Sequence, residues 1–104
     1  MKFFDYLKEF DLKDIKIFGF NNGDVIIPNE PLLKLEGPLA KVQILETTLL
    51  NLCNYPTLIS TLSNKLKNKF KNIILIEDGI NYAQSGLGGL LGSKYGFIGG
   101  VDCI

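Results

Sequence analysis

The chain has 104 residues, 46% of them apolar, no histidine, and eleven basic and eleven acidic side chains that balance to zero net charge. This composition predicts one small folded domain, or a piece of a larger one, and argues against disorder. It also removes the general electrostatic case for a nucleic-acid binder, and it excludes imidazole metal ligands and Ser/His or Cys/His catalytic pairs within the chain.

The first third of the chain has the pattern of a short helix followed by strands. Residues 2–10 place phenylalanines and a leucine at helical spacing, which predicts an amphipathic helix. The apolar runs 15–20 and 24–28 flank Asn22-Gly23, a dipeptide typical of a tight hairpin turn. Residues 32–37 alternate leucine with charged side chains, which predicts a half-buried strand.

The middle of the chain predicts two helices. The first covers 39–53, begins after Gly37-Pro38, and should carry Leu45 and Leu49 in the core. Asn54 can cap a second helix that runs to about residue 70.

Four lysines near the end of that second helix allow two interpretations. They could form an anion or nucleic-acid patch, or they could be the solvated end of a helix whose dipole favours cations. The interspersed asparagines favour the solvated end. The lysines are Lys65, Lys67, Lys69 and Lys71.

The C-terminal part begins with a strand-like run and continues into a glycine-rich span. Residues 72–79 have the composition of a fully buried strand, but we expect no later strand to pair with it, so the chain has the pattern of a truncated domain. Cys53 and Cys103 lack CxxC spacing, which favours reduced thiols, a buried Cys53 and a cytoplasmic location. No apolar run is long enough to span a bilayer.

The glycine-rich span 79–100 raises the possibility of a phosphate loop. A P-loop requires Gly-Lys followed by Ser or Thr, whereas here Ser93 precedes Lys94. A dinucleotide fingerprint fails too, because Leu91 stands where the third glycine belongs. The residue types therefore favour glycines that serve turns and close packing.

Residues 27–61, "IPNEPLLKLEGPLAKVQILETTLLNLCNYPTLIST", resemble the nicotinate phosphoribosyltransferase family almost continuously. That family shows Pro-Asn-Glu-Pro-Leu-Leu, then Glu-Gly-Pro-Leu, then a Leu-Glu-Thr-Thr-Leu-Leu-Asn-Leu helix. The C-terminal span is similar as well. The positions there that carry the family's residue types are Glu77, Gly79, Ala83, Gln84, Gly88, Ser93, Tyr95, Gly99, Gly100 and Asp102.

The resemblance implies an enzyme of NAD biosynthesis. The family joins nicotinate to phosphoribosyl pyrophosphate, forms nicotinate mononucleotide, and couples ATP hydrolysis through a phosphorylated histidine. It implies an α/β (α+β) fragment of the type II phosphoribosyltransferase fold. Residues 1–71 would be part of an N-terminal α/β sandwich, and 72–104 would start an α/β barrel. Full-length members use ATP and magnesium and form dimers, and this chain alone is expected to bind neither cofactor.

The resemblance also implies substrate-binding positions, two of which depart from the family. The positions that would border the pocket are Asn81, Tyr82, Ser93 and Asp102, with no catalytic or metal-binding residue in the chain. Family members carry two arginines at 81 and 82, which suit phosphate and carboxylate groups. They carry an aromatic or thioether side chain at 78, where this chain has Asp78.

Two functions follow. The first is a piece of a nicotinate phosphoribosyltransferase, inactive by itself, that forms a homodimer or associates with a complementary fragment. The alternative is a small non-catalytic α+β module that docks onto a partner protein through its exposed strand and helix face. Neither predicts binding to nucleic acid or to a membrane.

Overall fold

The computed structural model describes residues 2–103, which form two compact units joined within one long helix. The first unit ends at Leu49 and the second begins at Leu50. The elements are mixed helices and strands, as the composition and periodicity predict. The assignment of residues 1–71 and 72–104 to separate domains of a longer protein stays a prediction.

The first unit contains a short helix and a two-stranded antiparallel sheet. Helix α1 covers Phe3–Lys8, within the predicted range 2–10. Strand β1 (Lys16–Gly19) pairs with β2 (Leu33–Glu36), so that Ile17 lies opposite Leu35. Leu33 and Leu35 are half-buried whereas Lys34 and Glu36 are exposed, which confirms the predicted alternation.

The predicted hairpin around Asn22-Gly23 is wrong, because residues 24–28 form no strand. Asp24 N–H donates to the Asn21 carbonyl (3.1 Å), and the Asp24 carboxylate accepts from Asn21 N–H (2.8 Å). Residues 27–30 make a second turn closed by Glu30. These local bonds compete with strand pairing, and β1 pairs with β2 instead.

Helix α2 covers Leu39–Lys69 without interruption, so the prediction of two helices with a cap at Asn54 is wrong. Proline removes one backbone hydrogen bond and crowds the preceding turn, but it does not prevent the other bonds of a long helix. The ring of Pro56 is buried, which offsets part of that cost. Leu45 and Leu49, predicted to be core residues, are half-buried, as is Cys53.

The second unit ends in a strand–helix–strand arrangement. Strand β3 (Ile76–Glu77) is followed by a 3₁₀ turn at Gly79–Asn81, helix α3 (Gly86–Ile98) and strand β4 (Asp102–Cys103). Strands β3 and β4 pair in parallel. The expectations of a long buried strand over 72–79, and of no later strand to pair with it, are therefore wrong.

Chain reversal after α3 brings β4 beside β3. Gly100 has φ = +100°, a left-handed conformation that favours glycine, and it directly follows the helix C-cap. Asp102 N–H then donates to the Leu75 carbonyl (2.9 Å). Most of the glycine-rich span is helix instead of loop, since Ser85 caps α3 by accepting from Gly88 N–H (3.0 Å).

Candidate functional site

The carboxyl ends of the parallel strands β3 and β4 form the candidate site. Ligands of open α/β sheets bind beyond these ends, because the loops that follow the strands meet there. Asp102 begins β4 and pairs with Ile76, while Glu77 pairs with Cys103. Of the four predicted site residues, Asp102 therefore lies in the sheet itself.

Glu77 is the most connected side chain of the site. One oxygen, Oε2, accepts a hydrogen bond from the Ser93 hydroxyl at 2.6 Å, and the other, Oε1, accepts from Gly79 N–H at 2.5 Å. Glu77 and Ser93 are both half-buried. Charge-assisted bonds to a half-buried carboxylate are among the stronger hydrogen bonds in proteins, so this contact fixes α3 against β3.

Asn81 and Tyr82 lie on the turn that follows β3. The Asn81 amide donates to the Asp78 carboxylate at 2.7 Å, and Tyr82 N–H donates to the Gly79 carbonyl at 3.0 Å. The Tyr82 side chain is 83% exposed. The turn is thus closed by its own polar groups, and the ring of Tyr82 extends into solvent.

The charge of the site is negative. Glu77, Asp78 and Asp102 supply three carboxylates, and no lysine or arginine occurs between Lys71 and Lys94 in the sequence. Polyanions such as phosphate esters are held by cations and by aligned N–H donors. The turn after β3 offers no cation of its own to such a ligand.

Cys103 completes the contacts around Ser93. Its thiol donates to the Ser93 carbonyl at 3.0 Å. Desolvation raises the pKa of the Cys103 thiol, and the carboxylates of Glu77 and Asp102 raise it further. The thiol is therefore held in its protonated form at neutral pH.

The carboxylates of the site are partly engaged by hydrogen bonds within the chain. Magnesium prefers free carboxylate oxygens, and both oxygens of Glu77 are already engaged. Across residues 2–103 no group of three or more His, Cys, Asp or Glu side chains is placed to hold a metal ion. No helix in that same range combines the length and apolar character needed to cross a bilayer.

The first half of the chain matches a known protein family. The sequence pattern described as the nicotinate phosphoribosyltransferase N-terminal domain matches residues 1–54, which is more than half of the chain. The chain belongs to the nicotinate phosphoribosyltransferase family. The strand entry, the Glu-Gly-Pro-Leu segment and the start of α2 lie in the matched part.

Individual members of the nicotinate phosphoribosyltransferase family match almost the full length of the chain. "Nicotinate phosphoribosyltransferase 1" of Arabidopsis thaliana is 43% identical over 96% of this chain. The Caenorhabditis elegans and Homo sapiens enzymes are 39% and 37% identical over 97% and 96% of it. The matched regions are only 18–19% of these relatives, so the chain spans about a fifth of their length.

A solved structure shares the fold. The crystal structure of human nicotinic acid phosphoribosyltransferase superposes with a TM-score of 0.86 and 37% identity, over 96% of this chain and 20% of that one. The predicted mixed α/β class is therefore confirmed, and the chain has the fold of the corresponding part of a nicotinate phosphoribosyltransferase.

The structure relates the four predicted site residues to one another only indirectly. The side chains of Asn81 and Ser93 bond to Asp78 and Glu77, and not to each other. Glu77, which links Ser93 to the turn, had no predicted role in the site. Its position at the end of an apolar strand, two residues before a glycine, was the signal that could have identified it.

Proposed function

We propose that this chain supplies the N-terminal part of an enzyme that joins nicotinate to phosphoribosyl pyrophosphate in NAD biosynthesis. The observation that supports this is the likeness to the human enzyme over 96% of the chain, at a TM-score of 0.86. In this proposal residues 1–71 belong to a sandwich domain and 72–104 begin the barrel. The enzyme works as a cytoplasmic dimer, and its other parts bind ATP and magnesium.

The pocket residues of this proposal are Asn81, Tyr82, Ser93 and Asp102. Asn81 and Tyr82 lie on the turn after the carboxyl end of β3, the kind of position where parallel sheets carry their ligands. Ser93 bonds to Glu77 at that end, and Asp102 is the first residue of β4. The chain by itself is inactive in this proposal. The reaction implied for the family needs a phosphorylated histidine, and this chain has none.

The proposal is tested by two grafts into the Arabidopsis enzyme. In the first, residues 77–86 of this chain replace the matching segment. Two charged hydrogen bonds to the substrate are then lost, at roughly 1.5–3 kcal/mol each, so turnover should fall at least about a hundredfold. Restoring the charge in that graft with Asn81→Arg and Tyr82→Arg should bring turnover back to within about tenfold of the parent.

The second graft is the matched control. Residues 27–61 carry the strongest resemblance and none of the four pocket residues, so their graft should keep turnover within about tenfold of the parent. Nicotinate mononucleotide formation is measured with saturating nicotinate, and gel filtration checks assembly. The proposal is wrong if the 77–86 graft keeps full turnover, or if the 104-residue chain alone forms nicotinate mononucleotide.

The exposed apolar surface favours a second candidate function, a non-catalytic module that docks onto a partner protein. Leu39 is 79% exposed and Ile74 is 77% exposed, although both lie in runs with the composition of buried segments. A module of this kind would bind an intact family enzyme without contributing to catalysis. Binding of the chain to the Arabidopsis enzyme without a change in turnover would support this candidate over the first.

A further inference from the structure

Ser93 contacts both strands of the parallel pair from the middle of α3. Its hydroxyl donates to Glu77 in β3 at 2.6 Å, and its carbonyl accepts from the Cys103 thiol in β4 at 3.0 Å. A serine inside a helix commonly turns its hydroxyl to its own backbone or to solvent. Here the hydroxyl leaves the helix and bonds to a carboxylate sixteen residues earlier in the chain.

The contact continues from Glu77 into the turn after β3. The second Glu77 oxygen accepts from Gly79 N–H at 2.5 Å, at the first residue of the 3₁₀ turn. Gly79 in turn accepts from Tyr82 N–H through its carbonyl. A continuous series of hydrogen bonds therefore runs from Ser93 through Glu77 and Gly79 to Tyr82.

We propose that Ser93 is a positioning residue that holds the 78–82 turn through Glu77. This rests on the proposed function only in that the turn borders a substrate pocket. Because its hydroxyl donates to Glu77, Ser93, at the border of that pocket, acts on it through the turn. Glu77 likewise serves as the anchor of the turn, with both of its oxygens occupied.

The turn contacts α3 in two ways, through the Glu77–Ser93 bond and through Ile80, since a Cβ placed on Gly89 of α3 would lie 3.0 Å from Ile80 Cγ1. Tyr82 is 83% exposed and Ile80 is 39% exposed. A second side-chain bond joins Asn81 to Asp78 and lies within the turn. That bond keeps the turn closed but does not attach it to α3. Without the Ser93 hydroxyl, the turn should keep the Ile80 contact but lose its polar anchor, so it should open more often.

Hydrogen–deuterium exchange of the 104-residue chain, read on peptides at millisecond to second times, tests the proposal. Ser93→Ala should speed exchange of the 78–84 peptide about tenfold, because it removes one charge-assisted hydrogen bond. Ser93→Thr keeps the hydroxyl and should stay within about twofold of the parent. Peptide 50–59 of α2, which lies in the second unit together with the turn, reports whether that unit is still folded.

Ser60→Ala is the matched control. Ser60 in α2 donates its hydroxyl to the carbonyl of Tyr95 in α3 at 2.9 Å. The variant therefore removes a similar hydrogen bond to α3 and leaves the Glu77 contacts intact. It should leave 78–84 within about twofold of the parent. Glu77→Gln should loosen the turn as Ser93→Ala does, since an amide nitrogen replaces one accepting oxygen, and the double variant should add little to either change.

The outcomes are distinct. Unchanged exchange of 78–84 in Ser93→Ala, or equal loosening in Ser93→Ala and Ser93→Thr, overturns the proposal. If Ser93→Ala unfolds the second unit at 50–59, Glu77→Gln must loosen 78–84 with 50–59 unchanged. An unaltered turn in that variant overturns the proposal as well. Exchange needs no substrate, so a failed graft into the Arabidopsis enzyme would leave this result unaffected.

Discussion

Lys41 is the most engaged charged residue of the first unit. Its ammonium lies 2.7 Å from Asp11 and 3.1 Å from Asp14, and 6.0 Å from the centre of the Phe10 ring. Its side chain is only 14% exposed. The hydrogen bond from Lys41 lowers the pKa of Asp11, and the same bond raises the pKa of Lys41. The ion pair therefore joins the start of α2 to the segment after α1.

The direction of these shifts predicts the pH dependence of stability. Asp11 has a lowered pKa when folded, so its contribution is present above its usual value near 3.8 and is lost as pH falls further. Lys41 has a raised pKa when folded, so its contribution is present below 10.5 and is lost as pH rises through the folded value. The ion pair should stabilise the chain between these limits.

Lys41→Met should therefore lower the free energy of unfolding more at pH 7 than at pH 2.5. Urea unfolding followed by circular dichroism at both values measures the difference. Lys65→Met, an exposed position on the same helix, is the control and should have little effect at either pH. Equal losses at pH 7 and pH 2.5 for Lys41→Met would show that the ion pair with Asp11 is not what stabilises the unit.

At the scale of elements, α3 packs closely against the second half of α2. A side chain added at Gly99, the C-cap of α3, would place its Cβ 2.5 Å from the Ser60 carbonyl oxygen and 2.6 Å from the Ser63 Cβ. Gly86, the first residue of the same helix, has no atom within 4 Å of that position. A glycine is therefore required by close packing at the end of α3 but not at its first residue.

The contrast between these two glycines is a prediction. Gly99→Ala should destabilise the chain by about 1–3 kcal/mol, because backbone must move to relieve the overlap. Gly86→Ala should be neutral or stabilise it by up to about 1 kcal/mol, since alanine restricts the unfolded chain and favours helix. Urea unfolding of both variants measures this, and equal effects would mean that α2 and α3 do not approach so closely in solution.

At the scale of the whole molecule, large apolar side chains are exposed in every part of the described chain. Monomeric proteins seldom leave this much apolar side chain in water, because burial of such surface is the main favourable term in folding. Those at least half exposed are Phe3, Phe4, Leu12, Ile17, Phe18, Val25, Ile27, Leu39, Leu50, Leu52, Leu58, Leu62, Ile73, Ile74, Ile76, Tyr82, Leu87, Leu90 and Phe97.

The purified chain should consequently self-associate. Sedimentation velocity over a hundredfold range of concentration should show a weight-average mass that rises above that of one chain, because association covers part of the apolar surface. Replacing Ile74 and Leu39 by glutamine should shift association to higher concentration. A monodisperse monomer with a sharp two-state melt would contradict this prediction.

Local patterns predicted the elements that depend on neighbouring residues. Alternation over 32–37 identified β2, and helical spacing with Gly37-Pro38 located the start of α2. The hairpin at Asn22-Gly23 was wrong because strand partners are chosen by distant residues, here 33–36. Asn54 was predicted to cap a second helix, but α2 continues through Asn54, and the buried Pro56 lies inside it.

The amino-acid sequence by itself determined the family, because short motifs such as Glu-Gly-Pro-Leu are local and survive without knowledge of contacts. It also determined that the turn after β3 lacks cations. Only the tertiary structure decided that Asp102 pairs with Ile76 of β3 and that the hydroxyl of Ser93 donates to Glu77. The pairing of Asp102 depends on the chain reversal at Gly100, and the Ser93–Glu77 bond depends on how α3 packs back onto β3. Each contact joins residues sixteen or more positions apart, and local propensities carry no information about such contacts.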